Sequence, residues 1–386
     1  TLTLLNGRRV ISSNAFGGVD TNVIPSALIK SVETVTGGAS AAYGTDAVAG
    51  VTNFILDTKF TGIRAEIQGG MTSREDSKNY GGSIAVGIKL GERGHFLASY
   101  DRFHQDGVHS YAGRDWYQGW GTITGPDGRL ATVPNVVSRA ATFDGLIFSS
   151  NAAINGLAFR PDGTYAPFVT SGTSMGTLGS PGTQPRHSIT SGGSGDDIGA
   201  ETYTLYPDFE RDSAFAYADY ELFDGFTMFG QYIRGHNESF RYNIPRGSLQ
   251  GQPTSVTIFQ DNAFLPTALR QTMIDNNIAS FNLRVMGSDA NWGKFMTLSD
   301  ESTMNSGTVG FSWDIDSGGF LDGWRMDSYY QYGENSRKAY QVGLRVDRIN
   351  VAADAVINPA NNQVVCRTSL FPGTTANPNP FSGCVP

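Results

Sequence analysis

The chain has 386 residues and a formal net charge of −8, with 28 Lys and Arg against 36 Asp and Glu. That balance excludes a nucleic-acid-binding face, which needs a surplus of cations to neutralise phosphate, so no nucleic acid is expected as a partner. The 48 glycines, 11% aromatic and 17% charged residues suit a sheet protein with many turns, and two cysteines are too few for a Cys-only metal site.

Residues 1–11 (TLTLLNGRRVI) read as a strand, an Asn6-Gly7 turn and a second strand starting at Arg8. A polar, Gly-rich stretch follows over 12–22. Ile24-Pro25 is expected to begin a short helix running to about Ile29, with Pro at its first position. Residues 31–36 form a strand that Gly37-Gly38 breaks. Ala39 to Tyr43 suits one helical turn, with Gly44 as a left-handed cap. Another strand covers 47–56. The stretch 32–56 (VETVTGGASAAYGTDAVAGVTNFIL) holds no nucleophile and no metal ligand set, so its small residues point to close backbone packing. The expected division is a small α/β piece over 1–57, a linker over 58–62 and a different architecture over 63–386.

From Ile63 onward apolar and polar residues alternate. Ile63, Ala65, Ile67 and Met71 share one face, opposite Arg64, Glu66 and Gln68. Ile84, Val86, Ile88 and Leu90 oppose Ser83, Ala85, Gly87 and Lys89. Phe96, Ala98 and Tyr100 oppose His95, Ser99 and Asp101. Similar runs cover 211–222, 226–240, 304–315 and 324–339, seven in all and longer than ordinary strands. Their length matches a tilted strand crossing a bilayer, which needs ~9–11 residues. No run approaches the ~20 apolar residues of a transmembrane helix, but hydropathy is nearly blind to membrane barrels.

The connections alternate in length. Short turns at 91–94, 223–225 and 316–323 contrast with long segments at 104–210, 241–303 and 340–386, read as large extracellular loops. A membrane barrel with tight turns at one end and long loops at the other explains that better than a soluble sandwich. The tract 171–200, rich in Ser, Gly and Thr, is expected to carry no fixed secondary structure.

LLNGRRV followed by IPSALIKSVETVTGGASAAYGTDAVAGVTNFIL closely resembles the plug domain of TonB-dependent outer-membrane receptors, over about 55 residues. The residues carrying that resemblance are Asn6, Gly7, Arg8, Pro25, Glu33, Gly37, Gly38, Ala39, Ser40, Tyr43, Gly44, Asp46, Gly50 and Asn53. The fold implied is mainly β: a transmembrane antiparallel β-barrel of 22 strands, about seven of them here, with a small α/β plug domain. The resemblance further implies import of a scarce nutrient (siderophore-iron, a cobalamin-like cofactor or an oligosaccharide) across the outer membrane of a Gram-negative bacterium. TonB, outer-membrane lipid and an unknown small-molecule substrate are the implied partners, with no cofactor and no enzymatic activity. A passive porin or surface-binding β-barrel is the alternative. Relative to whole receptors, the sequence is expected to be an internal piece lacking the TonB box and further strands.

Other candidates follow from residue chemistry. Tyr111, Trp116, Tyr117 and Trp120 cluster beyond the third long strand, where aromatic faces either capture ligand or fold their own loop. Cys366 and Cys384 are expected to form a disulfide, in keeping with an oxidising compartment. Arg8, Arg9, Glu33 and Asp46 are expected to seek opposite charges such as Arg64, Glu66, Arg325 or Asp327. GGASAAYG lacks the Lys of a phosphate-binding loop, and His104 and His109 match no helical zinc spacing.

Overall fold

Chain order and pairing order coincide in the largest sheet, which the alternating sequence pattern dictates. The computed structural model describes residues 1–13, 17–110, 114–117, 120–124, 129–134, 136–138, 141–169, 173–177, 188–191, 204–242, 254–286, 295–316, 318–371, 373–374, 377–381 and 383–386. These divide into two compact units. The first comprises Thr1–Val108, Tyr206–Arg241 and Ser299–Tyr340, and the second His109–Leu205, Tyr242–Leu298 and Gln341–Pro386.

In the first unit, the N-terminal piece is a four-stranded sheet of β1 (Leu2–Leu5), β2 (Arg8–Arg9), β3 (Ile29–Val35) and β4 (Val51–Leu56), in the order β2-β1-β4-β3. The β1–β4 pairing is parallel and the others are antiparallel. The Pro25 segment is a correction to the expected helix. It forms two separate 3-10 turns, Thr21–Val23 and Ser26–Leu28, with Pro25 as the cap of the second. Ile24 between them is extended and its N–H closes onto the Thr21 carbonyl, so no continuous helix runs through. The small-residue stretch supplies a four-residue helix α1 (Ser40–Tyr43) and a 3-10 turn, Thr45–Ala47.

Seven long strands follow: β5 (Gly62–Gly70), β6 (Asn79–Leu90), β7 (Gly94–Gln105), β8 (Asp208–Phe223), β9 (Phe226–Tyr242), β10 (Thr297–Ile315) and β11 (Trp324–Gln341). They form one sheet in strict sequence order, with β5 and β11 at its edges. Every described pairing in it is antiparallel, such as Ala214↔Tyr100 and Ala214↔Arg234. We call this sheet the wall.

The period of two gives the wall two unlike faces. One face presents Ala85, Leu97, Phe215, Ile233 and Met304, all buried, to Leu5, Val23, Ile24, Ala27 and Leu28 of the N-terminal piece. The other face is apolar and bare: Ile63 is 73% and Ile67 92% exposed, with Ile84, Tyr220, Val309, Trp324 and Tyr330 also exposed. On β8 the outward positions run Leu222, Tyr220, Ala218, Ala216, Ala214 and then turn ionisable at Asp212 and Glu210. The change occurs at one height across strands, because Asp212 is in register with Arg102 and with His236. From 214 to 222 the strand rises about 27 Å at ~3.4 Å per residue, before tilt. That is close to the ~25 Å lipid-facing band of an outer-membrane barrel.

The second unit is built wholly from the segments read as loops, and their described residues hold strands and helices. A five-stranded sheet takes Leu146–Phe148, Leu157–Phe159 and Tyr165–Pro167 from the first segment and Thr254–Phe259 and Ser280–Val285 from the second. Helix α2 (Thr267–Asp275) buries Leu269 and Met273 in a core with Ile147, Ile154, Val256, Ile258 and Phe281. Ile349 and Ala353 of α3 (Val346–Ala353), from the third segment, pack against it. Within the tract expected to be unstructured, Thr173–Thr177 and Ser188–Ser191 pair as strands; the rest of the tract lies outside the described residues.

Candidate functional site

The Asn6-Gly7 turn is where the N-terminal piece is set against the wall. Asn6 and Gly7 both have positive φ (49° and 76°), as the expected two-residue hairpin turn demands. The Asn6 side chain accepts a hydrogen bond from the Leu56 N–H (2.8 Å), and Asn53 accepts one from the Gly7 N–H (2.9 Å). These bonds clamp the hairpin to β4 and fix the direction in which Arg8 and Arg9 leave it.

Arg8 points into the wall. Its Nη2 donates to Gln231 Oε1 at 2.8 Å, and its guanidinium lies 4.8 Å from the Phe229 ring centre and 6.0 Å from that of Tyr329. Burial lowers its pKa from the ordinary arginine value. Arg9 stays within the N-terminal piece, paired with Asp46 and donating to the Tyr43 carbonyl at 2.9 Å. Among the described residues, neither Arg8 nor Arg9 pairs with a charged wall residue. Arg325 bonds Asp314 and Asp327 on the wall itself, and Arg64 donates to the Ala27 carbonyl.

Neutral and charged wall residues complete the contact. Arg211 donates to Asn22 (2.9 Å) and to Asp101 (2.6 Å), and Asn237 donates to Asp20 (2.6 Å). Gln331 donates to the Arg9 carbonyl (3.1 Å) and Asn335 to the Ser13 carbonyl (2.8 Å). Lys59, in the linker, donates to both oxygens of Asp219. Three wall glycines admit close approach: a Cβ on Gly87 would lie 2.0 Å from the Phe60 carbonyl oxygen, and on Gly235 2.2 Å from Val23 Cγ1. On Gly333 it would lie 1.6 Å from Ile11 Cδ1. These hydrogen bonds, each worth ~1 kcal/mol net, surround the buried apolar cluster that joins the two parts and fix their register.

The remaining motif residues divide between turn-makers and exposed positions. Pro25 and Gly50 are buried, and a Cβ on Gly50 would meet the Val35 carbonyl at 2.6 Å. Glu33, Gly37, Gly38, Tyr43, Gly44 and Asp46 are exposed, and Ala39 and Ser40 half-buried. Gly37 and Gly38 would meet nothing with an added Cβ, so within this unit the tight approaches fall elsewhere. In the second unit, Trp116 and Tyr117 pack edge to face at 6.2 Å, and Trp120 Nε1 donates to the Trp116 carbonyl at 3.2 Å. Tyr111 lies outside the described residues. Cys366 and Cys384 form the expected disulfide. Beside it Arg367 bridges Asp261 (2.6 Å) and Asp354 (2.9 Å), a contact between segments that spacing does not reveal. His104 bonds Glu210 (2.8 Å) and Asp106 (3.0 Å), and among the described residues no group of three or more His, Cys, Asp or Glu is placed to hold a metal. Gln231, Asn237, Gln331 and Asn335 escaped sequence reasoning; their one signal is a polar side chain at an inward position of a long strand.

Comparison with known families matches residues 1–51 to the TonB-dependent Receptor Plug Domain. Among solved structures, the siderophore receptor PiuA of Acinetobacter baumannii is similar at 11% identity and TM-score 0.31, over 90% of this chain and 41% of its own. A mutant of the ferric enterobactin receptor PfeA of Pseudomonas aeruginosa, in complex with enterobactin, is similar at 14% identity and TM-score 0.31, over 88% of this chain and 47% of its own. The FrpB iron transporter of Neisseria meningitidis is similar at 12% identity and TM-score 0.21, over 87% and 54%. The chain thus spans about half the length, or less, of these structures.

Proposed function

We propose that this chain, which carries the plug domain of the TonB-dependent receptors, belongs to an outer-membrane transporter that imports a scarce nutrient with energy delivered through TonB. The nutrient class is siderophore-bound iron, a cobalamin-like cofactor or an oligosaccharide. The outer membrane of a Gram-negative bacterium is the site of action, lipid the medium around the wall, and residues 63–386 part of a barrel whose long segments lie outside the cell.

The observation that carries this reading is the division of the wall. Its inward face is bonded to the plug through Arg8–Gln231, Asn237–Asp20 and Gln331–Arg9, while its outward face is an exposed apolar band ending at Asp212 and Arg102. A soluble protein with that band bare would aggregate. A passive porin has no use for a plug bonded to its interior. The family is one of receptors and transporters, so the reading assigns no catalytic role to any residue.

The test is uptake in cells. Deleting the gene should abolish growth on one nutrient of these classes, and growth should likewise fail in a strain without TonB. Protease added to intact cells should cut within 171–200 and spare 91–94. A detergent-independent, soluble protein would overturn the reading, and uptake that persists without TonB would favour the passive pore.

A further inference from the structure

The three short turns of the wall differ in what they place beyond the end of the sheet. Those joining β6 to β7 and β8 to β9 are charged: Glu92 is exposed, and Arg93 of the first reaches Asp224 of the second at 2.9 Å. The turn joining β10 to β11 carries Phe320 and Leu321 instead, 91% and 43% exposed. Water suits the first kind of tip and opposes the second.

The apolar tip is held in place by its own backbone. Gly318 N–H donates to the Asp322 carboxylate (3.1 Å), Asp322 N–H to the Gly319 carbonyl (3.1 Å) and Trp324 N–H to the Leu321 carbonyl (3.0 Å). Gly323, at φ 74°, closes the hairpin on the Ile315 carbonyl at 2.9 Å. The neighbouring turn ends level with Asp314, whose N–H donates to the Gly225 carbonyl at 2.9 Å, so the Phe320 tip projects past it.

Its aromatic contacts give the direction. The Phe320 ring lies 6.4 Å from that of Trp324, a residue of the outward face. Trp313, Phe311, Phe226 and Phe223 continue that face, with ring centres 4.8–6.5 Å apart. The inward face of the same hairpin is polar, with Arg325 bonded to Asp314 (3.2 Å) and Asp327 (3.1 Å). The tip therefore extends the bare apolar band, away from the side that meets the plug.

We propose that the β10–β11 tip is a membrane anchor, with Phe320 and Leu321 inserted at the headgroup–acyl boundary of the phospholipid leaflet on the short-turn side. This rests on the reading of the wall as membrane-spanning. Aromatic rings favour that boundary, and continuity with the outward band leads the tip into lipid, while Glu92, Arg93 and Asp224 keep the other two turns in water. One anchored hairpin beside two wetted turns sets the depth of β10 and β11 in the bilayer.

The test is photo-crosslinking in cells that make the full-length protein, with p-benzoylphenylalanine at one position at a time. Irradiation should couple position 320 to phospholipid, read as a lipid-mass adduct on its peptide, in a yield at least about tenfold above that at position 92. Position 67, in the outward band, is the positive control, and position 321 serves if the variant at 320 does not assemble. Lipid adducts at 67 with none at 320 or 321 would overturn the anchor and leave the membrane-spanning wall standing. A protein adduct at 320 would also overturn it, by identifying a protein as the partner of the tip. Absence of lipid adducts at 67 as well would overturn the anchor together with the reading of the wall.

Discussion

Lys59 Nζ donates to Asp219 Oδ1 at 3.0 Å and Oδ2 at 2.8 Å, joining the linker to the wall, and the two ends of this pair are unequally placed. The Asp219 side chain is 4% exposed and that of Lys59 70%. Removing the lysine strands a buried carboxylate with the Tyr217 hydroxyl, whereas removing the carboxylate charge leaves an ammonium in water. Lys59→Met should therefore destabilise more than Asp219→Asn, by about 1–3 kcal/mol after allowing for the exposed lysine. Denaturant midpoints of the two variants check this, and the reverse order would refute it.

Gly87 sits where the linker backbone crosses the wall. An added Cβ would fall 2.0 Å from the Phe60 oxygen, 2.8 Å from its carbonyl carbon and 2.9 Å from Leu97 Cδ2. Backbone cannot swing aside as a side-chain tip can. Gly87→Ala should cost about 1–3 kcal/mol and raise hydrogen exchange over 57–62. Gly230→Ala, with nothing within 4 Å of the new Cβ, is the matched control and should be near neutral.

Acid should loosen the second unit through Asp261. Hydrogen bonds from Arg367 hold the Asp261 carboxyl below its ordinary range. A carboxylate depressed on folding contributes stability above its unfolded pKa of ~3.9, and loses it as pH falls through the lower folded value. As pH falls below about 4, protection of the Thr254–Phe259 strand against exchange should decline in the wild type. In Arg367→Met that acid limb should be shallower, with lower protection already at neutral pH.

The disulfide between Cys366 and Cys384 closes a segment with a sequence separation of 18. Closing a loop of that size restricts the unfolded chain by about 3 kcal/mol in the entropy model. A Cys366→Ser, Cys384→Ser double variant should lower the stability of the second unit and expose 367–383 to protease. The wall should keep its exchange protection, because its core cluster contains none of those residues. Simultaneous loss of both units would contradict their separation.

The wall was largely legible because its information is local. Ile63, Ile67 and Ile84 alternate with Arg64, Glu66 and Ser83, and a period of two assigns faces without knowing any partner. Turn glycines were legible for the same reason: Gly91 and Gly225 take positive φ between their strands. Partners across the molecule were not. Arg8 was expected to find an acid and found Gln231, 223 positions away, since nothing in either residue's neighbourhood encodes the meeting. The Pro25 helix failed through the same blindness. Val23, Ile24, Ala27 and Leu28 are all drawn into the wall cluster, and the chain folds as two tight turns to bury them.

By itself, then, the sequence determined the strands, their faces, the short turns and the plug motif, because alternation, Asn-Gly chemistry and glycine act over a few residues. Tertiary structure alone decided that three segments read as loops pool into one core around Ile147, Leu269 and Phe281, and that Arg367 reaches Asp261 across 106 positions. It also decided that close approaches on the wall fall at Gly87, Gly235 and Gly333, and that within the small-residue stretch Gly50 is tight while Gly37 and Gly38 are left open. Burial is a property of what the chain folds against, and that is fixed only once distant segments have met.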